Sequence, residues 1–116
     1  MKVYFYPKCS TCRQALKYLD SKKTSYQAID ISEKAPTKSE LKKMYLAMGG
    51  DLRKLFNTSG KLYREGGYKD KIKDMSVADA ITVLHGEGML VKRPFVISED
   101  TQFVGFGDEQ RKKLEE

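Results

Sequence analysis

The sequence predicts an α/β fold, a mixed four-stranded sheet with helices on both faces. Three observations carry that expectation. The opening residues read strand, turn, helix, strand; the closing residues read strand, strand, helix; and the residues between them are helical. With 116 residues, 40% of them apolar and 33% charged, the chain is sized for one domain around one core. That composition excludes a disordered tail and a collagen-like repeat. No apolar run approaches the roughly 20 residues that a membrane helix needs. Met1 to Pro7 is too short an apolar stretch for a secretory signal and has no small-residue cleavage site, so a cytosolic protein is expected.

Each element follows from its pattern. Val3 to Tyr6 is β-branched and aromatic and stops at Pro7, which reads as a short buried strand. A helix is expected over Ser10 to Ser21, where Cys12, Ala15, Leu16 and Leu19 share one face. Tyr26 to Ile31 reads as a second strand. Thr37-x-x-Glu40 is a capping box, followed by the apolar stripe Leu41, Met44, Tyr45 and Met48 and ended by Gly49-Gly50. Leu52, Leu55 and Phe56 suggest a short helix or turn. Gly60 and Gly66-Gly67 break the next stretch into small pieces. Ser76-x-x-Asp79 reads as a second capping box, ahead of Val77, Ala80, Ile81 and Leu84, with His85-Gly86 at its close. Pro94 to Ile97, a polar turn over Ser98 to Thr101, and Gln102 to Val104 form a hairpin. Gly105 and Gly107 interrupt the chain, and Asp108 can cap a last helix ending at Leu114.

Lys and Arg number 22 against 16 Asp and Glu, a formal charge of +6. Such a balance can attract an anion, a nucleic acid or an acidic partner, but the basic residues are scattered and interrupted by acids. A solvated surface is expected, with no direct nucleic-acid binding.

The cysteines are Cys9 and Cys12, in Lys8-Cys9-Ser10-Thr11-Cys12-Arg13. A loop this small staples nothing, so the spacing reads as redox chemistry or as half of a metal site. Cys9 falls just before a helix start, where free N–H groups and the dipole favour an anion, and Lys8 and Arg13 add positive charge. Each of these stabilises a thiolate, the nucleophilic form. Cys12 follows about one turn later and faces back, placed to attack a mixed disulfide on Cys9. Two inert buried thiols are the bland alternative. Zinc wants four ligands, and Cys9, Cys12 and His85 are the soft candidates, so no metal is expected.

Arg93-Pro94 is the second signal. In a thioredoxin-like arrangement a cis proline precedes the third strand and lies beside the cysteines; Pro94 holds that place, and Arg93 would then point at Cys9. An ordinary trans proline with a surface arginine is the alternative. His85 sits at a predicted helix C-terminus, where it reads as a cap rather than a base. Tyr4, Tyr6, Tyr45 and Tyr63 read as core and rim, and no glycine-rich phosphate loop is present.

Taken together the chain resembles the ArsC/Spx family of thioredoxin-fold proteins. The resemblance rests on Tyr4 to Arg13, on Gly49-Gly50 in the helical stretch, on Leu62-Tyr63, and on Lys92 to Ile97 with Val104-Gly105-Phe106. It implies a single domain over 1–116, a thioredoxin-like mixed four-stranded sheet with an inserted helical subdomain at about 35–90. It places Cys9 at the nucleophile position of the arsenate reductases, in which glutathione and glutaredoxin resolve the adduct. Those enzymes hold the oxyanion with three arginines. This chain keeps Arg93, while the other two positions carry Phe56 and Phe106, which cannot form paired charged hydrogen bonds; this weighs against efficient arsenate reduction. The expected activity is thiol–disulfide exchange. Cys9, Cys12 and Arg93 are catalytic, and Lys8, Ser10, Thr11, Arg13 and Pro94 bind substrate. No cofactor is held; an external thiol, glutathione or another small thiol, or thioredoxin or glutaredoxin, restores the dithiol. The partners expected are a small-molecule or protein disulfide and a redox partner protein. The Spx branch offers a regulator instead, with Gly49 and Gly50 docking the RNA polymerase α subunit. Spx proteins usually continue into a tail that controls turnover, whereas this chain stops at Glu116; the expectation is a relative nearer the reductase-like members.

Overall fold

The computed structural model describes residues 1–115; Glu116, the last residue of the expected domain, lies outside them. The chain runs β1 (Lys2–Phe5), α1 (Ser10–Ser21), β2 (Gln27–Asp30), α2 (Lys38–Ala47), a 3-10 turn (Leu52–Leu55), α3 (Lys61–Glu65), α4 (Tyr68–Asp74) and α5 (Val77–Gly86). A second 3-10 turn (Gly88–Leu90), β3 (Phe95–Ile97), β4 (Gln102–Val104) and α6 (Asp108–Glu115) complete it. The sheet has the order β2-β1-β3-β4. β1 and β2 are parallel, and β3 is antiparallel to both β1 and β4, so the expected mixed four-stranded sheet is present.

Strand alternation sorts the core into two layers. Val3, Val96 and Phe103 face one side, packed with Leu19, Leu16 and Leu114 of α1 and α6. Tyr4, Phe95, Ile97 and Val104 face the other, against Leu41 and Met44 of α2 and Ala80, Ile81 and Leu84 of α5. Tyr4 meets Phe95 edge to face, with ring centroids 5.7 Å apart.

Several boundaries differ from the sequence expectation for identifiable reasons. β1 ends at Phe5 rather than Tyr6, because the Tyr6 carbonyl leaves the ladder to accept the Cys9 amide at 3.0 Å. The glycine-broken stretch folds into two short helices, α3 and α4, joined through Gly67 at φ +67. Thr37 and Glu40 make both bonds of the capping box. At the second site Ser76 Oγ accepts the Asp79 amide, which is the forward half of the box; Asp is one methylene shorter than the Glu that closes it at Thr37. The last helix begins at Asp108 itself, with Gln110 Oε1 accepting the Gly107 amide at 2.8 Å.

Candidate functional site

The site forms where β1 and β3 end side by side. The antiparallel register pairs Tyr4 with Phe95. Tyr6 and Arg93 lie just beyond the paired residues, at the neighbouring ends of the two strands. The Arg93 guanidinium carbon lies 5.1 Å from the Tyr6 ring centroid. The Arg93–Pro94 peptide bond is cis, and the Pro94 carbonyl accepts the Gly105 amide.

Cys9 is the N-cap of α1, with extended backbone at φ −92 and ψ 114, and its sulfur accepts the Cys12 amide at 3.3 Å. A cysteine thus stands where serine or aspartate usually caps, and one free N–H of the first helical turn, that of Cys12, is turned toward sulfur. Cys9 is partly open to solvent, whereas Cys12 has no exposed surface. Both are thiols here. Burial pushes the Cys12 thiol up to about 12, and its hydrogen bond to the Cys9 sulfur adds to that; a backbone hydrogen bond from Tyr6 and the Arg93 charge act the other way. The Cys12 amide is thus the donor that meets the Cys9 sulfur.

The residues flanking the pair divide by role. Lys8 and Ser10 are exposed and Thr11 half-buried. Arg13 donates from Nη1 to the Pro7 carbonyl at 3.2 Å and so ties the turn to the helix that follows it. Arg93 donates from Nη1 to the Met89 carbonyl at 3.2 Å, with the Met89 sulfur 3.8 Å away. Sequence reasoning assigned Tyr6 to core and rim and passed over Met89. Nothing local in the sequence marks either one.

Other candidates lie elsewhere. Gly49 and Gly50 end α2 in left-handed backbone, at φ +75 and +76. Gly49 lines a cleft of about 730 Å³ beside the outer edge of β4, with Lys92, Phe103 and Gln110, and neither cysteine lines it. His85 Nδ1 lies 2.9 Å from the Pro36 carbonyl; a carbonyl only accepts, so Nδ1 carries the proton and the ring pins α5 to the residues ahead of α2. Among the described residues no three His, Cys, Asp or Glu gather as a metal site. No described helix is long and apolar enough to cross a membrane. Phe56 is buried, bridged to Val91 and packed on Tyr63 and Tyr68. Phe106 packs on Tyr18 and lies under the Arg111 guanidinium.

The profile of the ArsC family matches residues 4–114, nearly the whole chain. The chain belongs to the ArsC family. The uncharacterised protein YusI of Bacillus subtilis is 44% identical over 107 residues, covering 92% of this chain and 91% of YusI. Two crystal structures share the fold closely. A possible arsenate reductase from Streptococcus mutans is 39% identical with a TM-score of 0.86, covering 96% of each chain. An ArsC family related protein from Bacteroides fragilis is 38% identical with a TM-score of 0.88, covering 97% of each. More distant similarity, 22% over 97% of this chain and 84% of the relative, reaches the global transcriptional regulator Spx 2 of Bacillus anthracis. Within this ArsC protein the family fold carries two cysteines at the mouth of α1 and an arginine held against Tyr6.

Proposed function

We propose that this ArsC family protein is a cytosolic thiol–disulfide oxidoreductase. The observation that supports it most is the contrast within one turn: a partly open Cys9 sulfur at a helix N-terminus, hydrogen-bonded by a buried Cys12. Cys9 attacks a disulfide RS–SR as the thiolate. A Cys9–SR bond forms, the S–S bond breaks, and RS⁻ leaves with the electron pair. Cys12, once deprotonated, attacks the Cys9 sulfur; the second RS⁻ leaves and a Cys9–Cys12 disulfide remains. Two equivalents of an external thiol, a small thiol or a thioredoxin-type protein, reduce it and are themselves oxidised to a disulfide. Because burial keeps Cys12 protonated near neutral pH, resolution is the slower step and speeds up as pH rises.

The experiment is turnover of hydroxyethyl disulfide with glutathione as reductant, followed in the wild type, Cys9→Ser and Cys12→Ser. Cys9→Ser is inactive, and Cys12→Ser accumulates a mixed disulfide on Cys9 visible by intact mass. Equal rates in the wild type and Cys9→Ser overturn the proposal.

Two other readings are separated by the same protein. The similarity to Spx 2 raises a regulatory role; stoichiometric capture of the RNA polymerase α subunit without disulfide turnover favours it. Arsenate reduction is followed by coupled NADPH oxidation. No rate above the Cys9→Ser blank is expected, since Phe56 and Phe106 occupy packed positions where the family resemblance sets arginine clamps.

A further inference from the structure

Tyr6 joins the cysteine turn to Arg93. Its carbonyl fixes the Cys9 amide at 3.0 Å, and its half-buried ring carries the Arg93 guanidinium at 5.1 Å. Tyr6 and Arg93 each lie two residues beyond the Tyr4–Phe95 pair, where the ends of β1 and β3 come together. A guanidinium stacked on an aromatic face keeps its in-plane donors free. Arg93 uses Nη1 on Met89, and among the described residues no carboxylate pairs with it. Among the described residues the charge thus has no carboxylate partner, and the Met89 carbonyl and the Tyr6 ring hold the guanidinium. One arginine fork matches one carboxylate.

We propose that Tyr6 is a positioning residue whose ring holds Arg93 for the carboxylate of an anionic disulfide, making the site selective for disulfides with a negative charge near the reacting sulfur. This rests on the oxidoreductase reading above. The ring acts through its π face, so the hydroxyl is dispensable.

The test uses two readouts. In a Cys12→Ser background, where Cys9 alone reports, the rate of alkylation by iodoacetate is divided by that with neutral iodoacetamide. The ratio is unchanged in Tyr6→Phe and falls about threefold in Tyr6→Leu, the size expected for losing an exposed cation–π contact. It falls at least as far in Arg93→Gln, and Tyr6→Leu added to Arg93→Gln lowers it no further. In the two-cysteine protein, Tyr6→Leu raises KM for dithiobis(nitrobenzoate), a dicarboxylate, and leaves KM for the neutral dithiodipyridine unchanged. Should Tyr6→Leu not fold, Tyr6→pentafluorophenylalanine keeps the ring's shape and reverses its quadrupole; the same fall in ratio is expected. A ratio unmoved in Tyr6→Leu and in the fluorinated variant overturns the proposal, as do multiplicative losses in the double variant. The alkylation ratio needs no turnover. A fall in ratio with no disulfide turnover by the wild type overturns the oxidoreductase reading and leaves Tyr6's hold on Arg93 supported. Turnover with an unmoved ratio overturns the role of Tyr6 alone.

Discussion

The two sulfurs of one helical turn live in different surroundings, and their reactivity should part accordingly. Cys12 is wholly buried and its thiol is pushed up to about 12, chiefly by that burial, while Cys9 is partly open at the mouth of α1. One equivalent of iodoacetamide at neutral pH is expected to label Cys9 at least tenfold over Cys12, read by peptide mass mapping; equal labelling removes the assignment of Cys9 as nucleophile. The same contrast fixes a pH dependence. Free cysteine ionises near 8.5, so above that pH the unfolded chain releases the Cys12 proton while the native state retains it. The stabilisation is fully present below about pH 8.5 and is lost as pH rises toward the native value of about 12. Urea unfolding midpoints of the wild type should therefore fall over that range more steeply than those of Cys12→Ala, which lacks the titrating group.

At the scale of elements, the strand that delivers the cysteines is tied to α2 through a single carboxylate. Glu40 accepts from the Tyr4 hydroxyl at 2.6 Å and the Thr37 amide at 2.9 Å, and pairs with Lys2 at 3.3 Å. Burial pushes the Glu40 carboxyl up, but the bonds from Tyr4, Thr37 and Lys2 outweigh it and leave the group below its ordinary value. Tyr4 is raised, by burial first and by Glu40 second. Tyr4→Phe is expected to cost about 2 kcal/mol at pH 7, as for other hydrogen bonds to charged groups. With the native Glu40 value lowered, the network's contribution is present above about pH 4.3 and lost as pH falls through the native value, so the two proteins' denaturation curves converge in acid. The Thr37–Glu40 box and the α1 stripe were legible in the sequence because both are local: a cap and its partner lie three residues apart, and an apolar face repeats every turn. The cysteine turn was legible for the same reason. Residues 57–75 were legible only as small pieces broken by glycine, since the N-caps of α3 and α4 are Gly60 and Gly67, which offer no side-chain cap to read. The Tyr6–Arg93 contact was hidden by distance in sequence, because it joins the ends of two strands far apart in the chain. Gly49 and Gly50, expected to end α2 and offered as a partner surface in the regulatory alternative, have left-handed backbone at the end of that helix. Gly49→Ala is expected to lower stability by about 1 kcal/mol, although its added Cβ would meet nothing within 4 Å, and Gly49→Asn by less. A binding loss in such a variant needs that unfolding measurement beside it.

Across the whole molecule, the helices between β2 and β3 have to return the chain to the sheet at the right place for Arg93, and the return is made at one close contact. Gly88 is buried in the 3-10 turn before β3, and a Cβ added there would lie 2.2 Å from the Ile31 carbonyl, just past the end of β2. The neighbour is backbone, held where the Ile31 amide donates a hydrogen bond to the Phe5 carbonyl, so it cannot swing aside as a flexible side chain would. The next residue is Met89, whose carbonyl holds Arg93, and Val91 and Lys92 then pair with the 55–57 segment before Pro94 begins the run into β3. Gly88→Ala therefore presses on the sheet edge and on the anchor of the site's arginine together. Overpacking of this kind costs about 1–3 kcal/mol. Thermal unfolding should show that loss, and at a temperature where the variant is folded its Cys9 should also react less selectively with iodoacetate over iodoacetamide. A stability loss with full charge selectivity would mean that the Met89 carbonyl and the Gly88 contact move independently, so that strand register and the Tyr6 ring hold Arg93 without help from the returning chain.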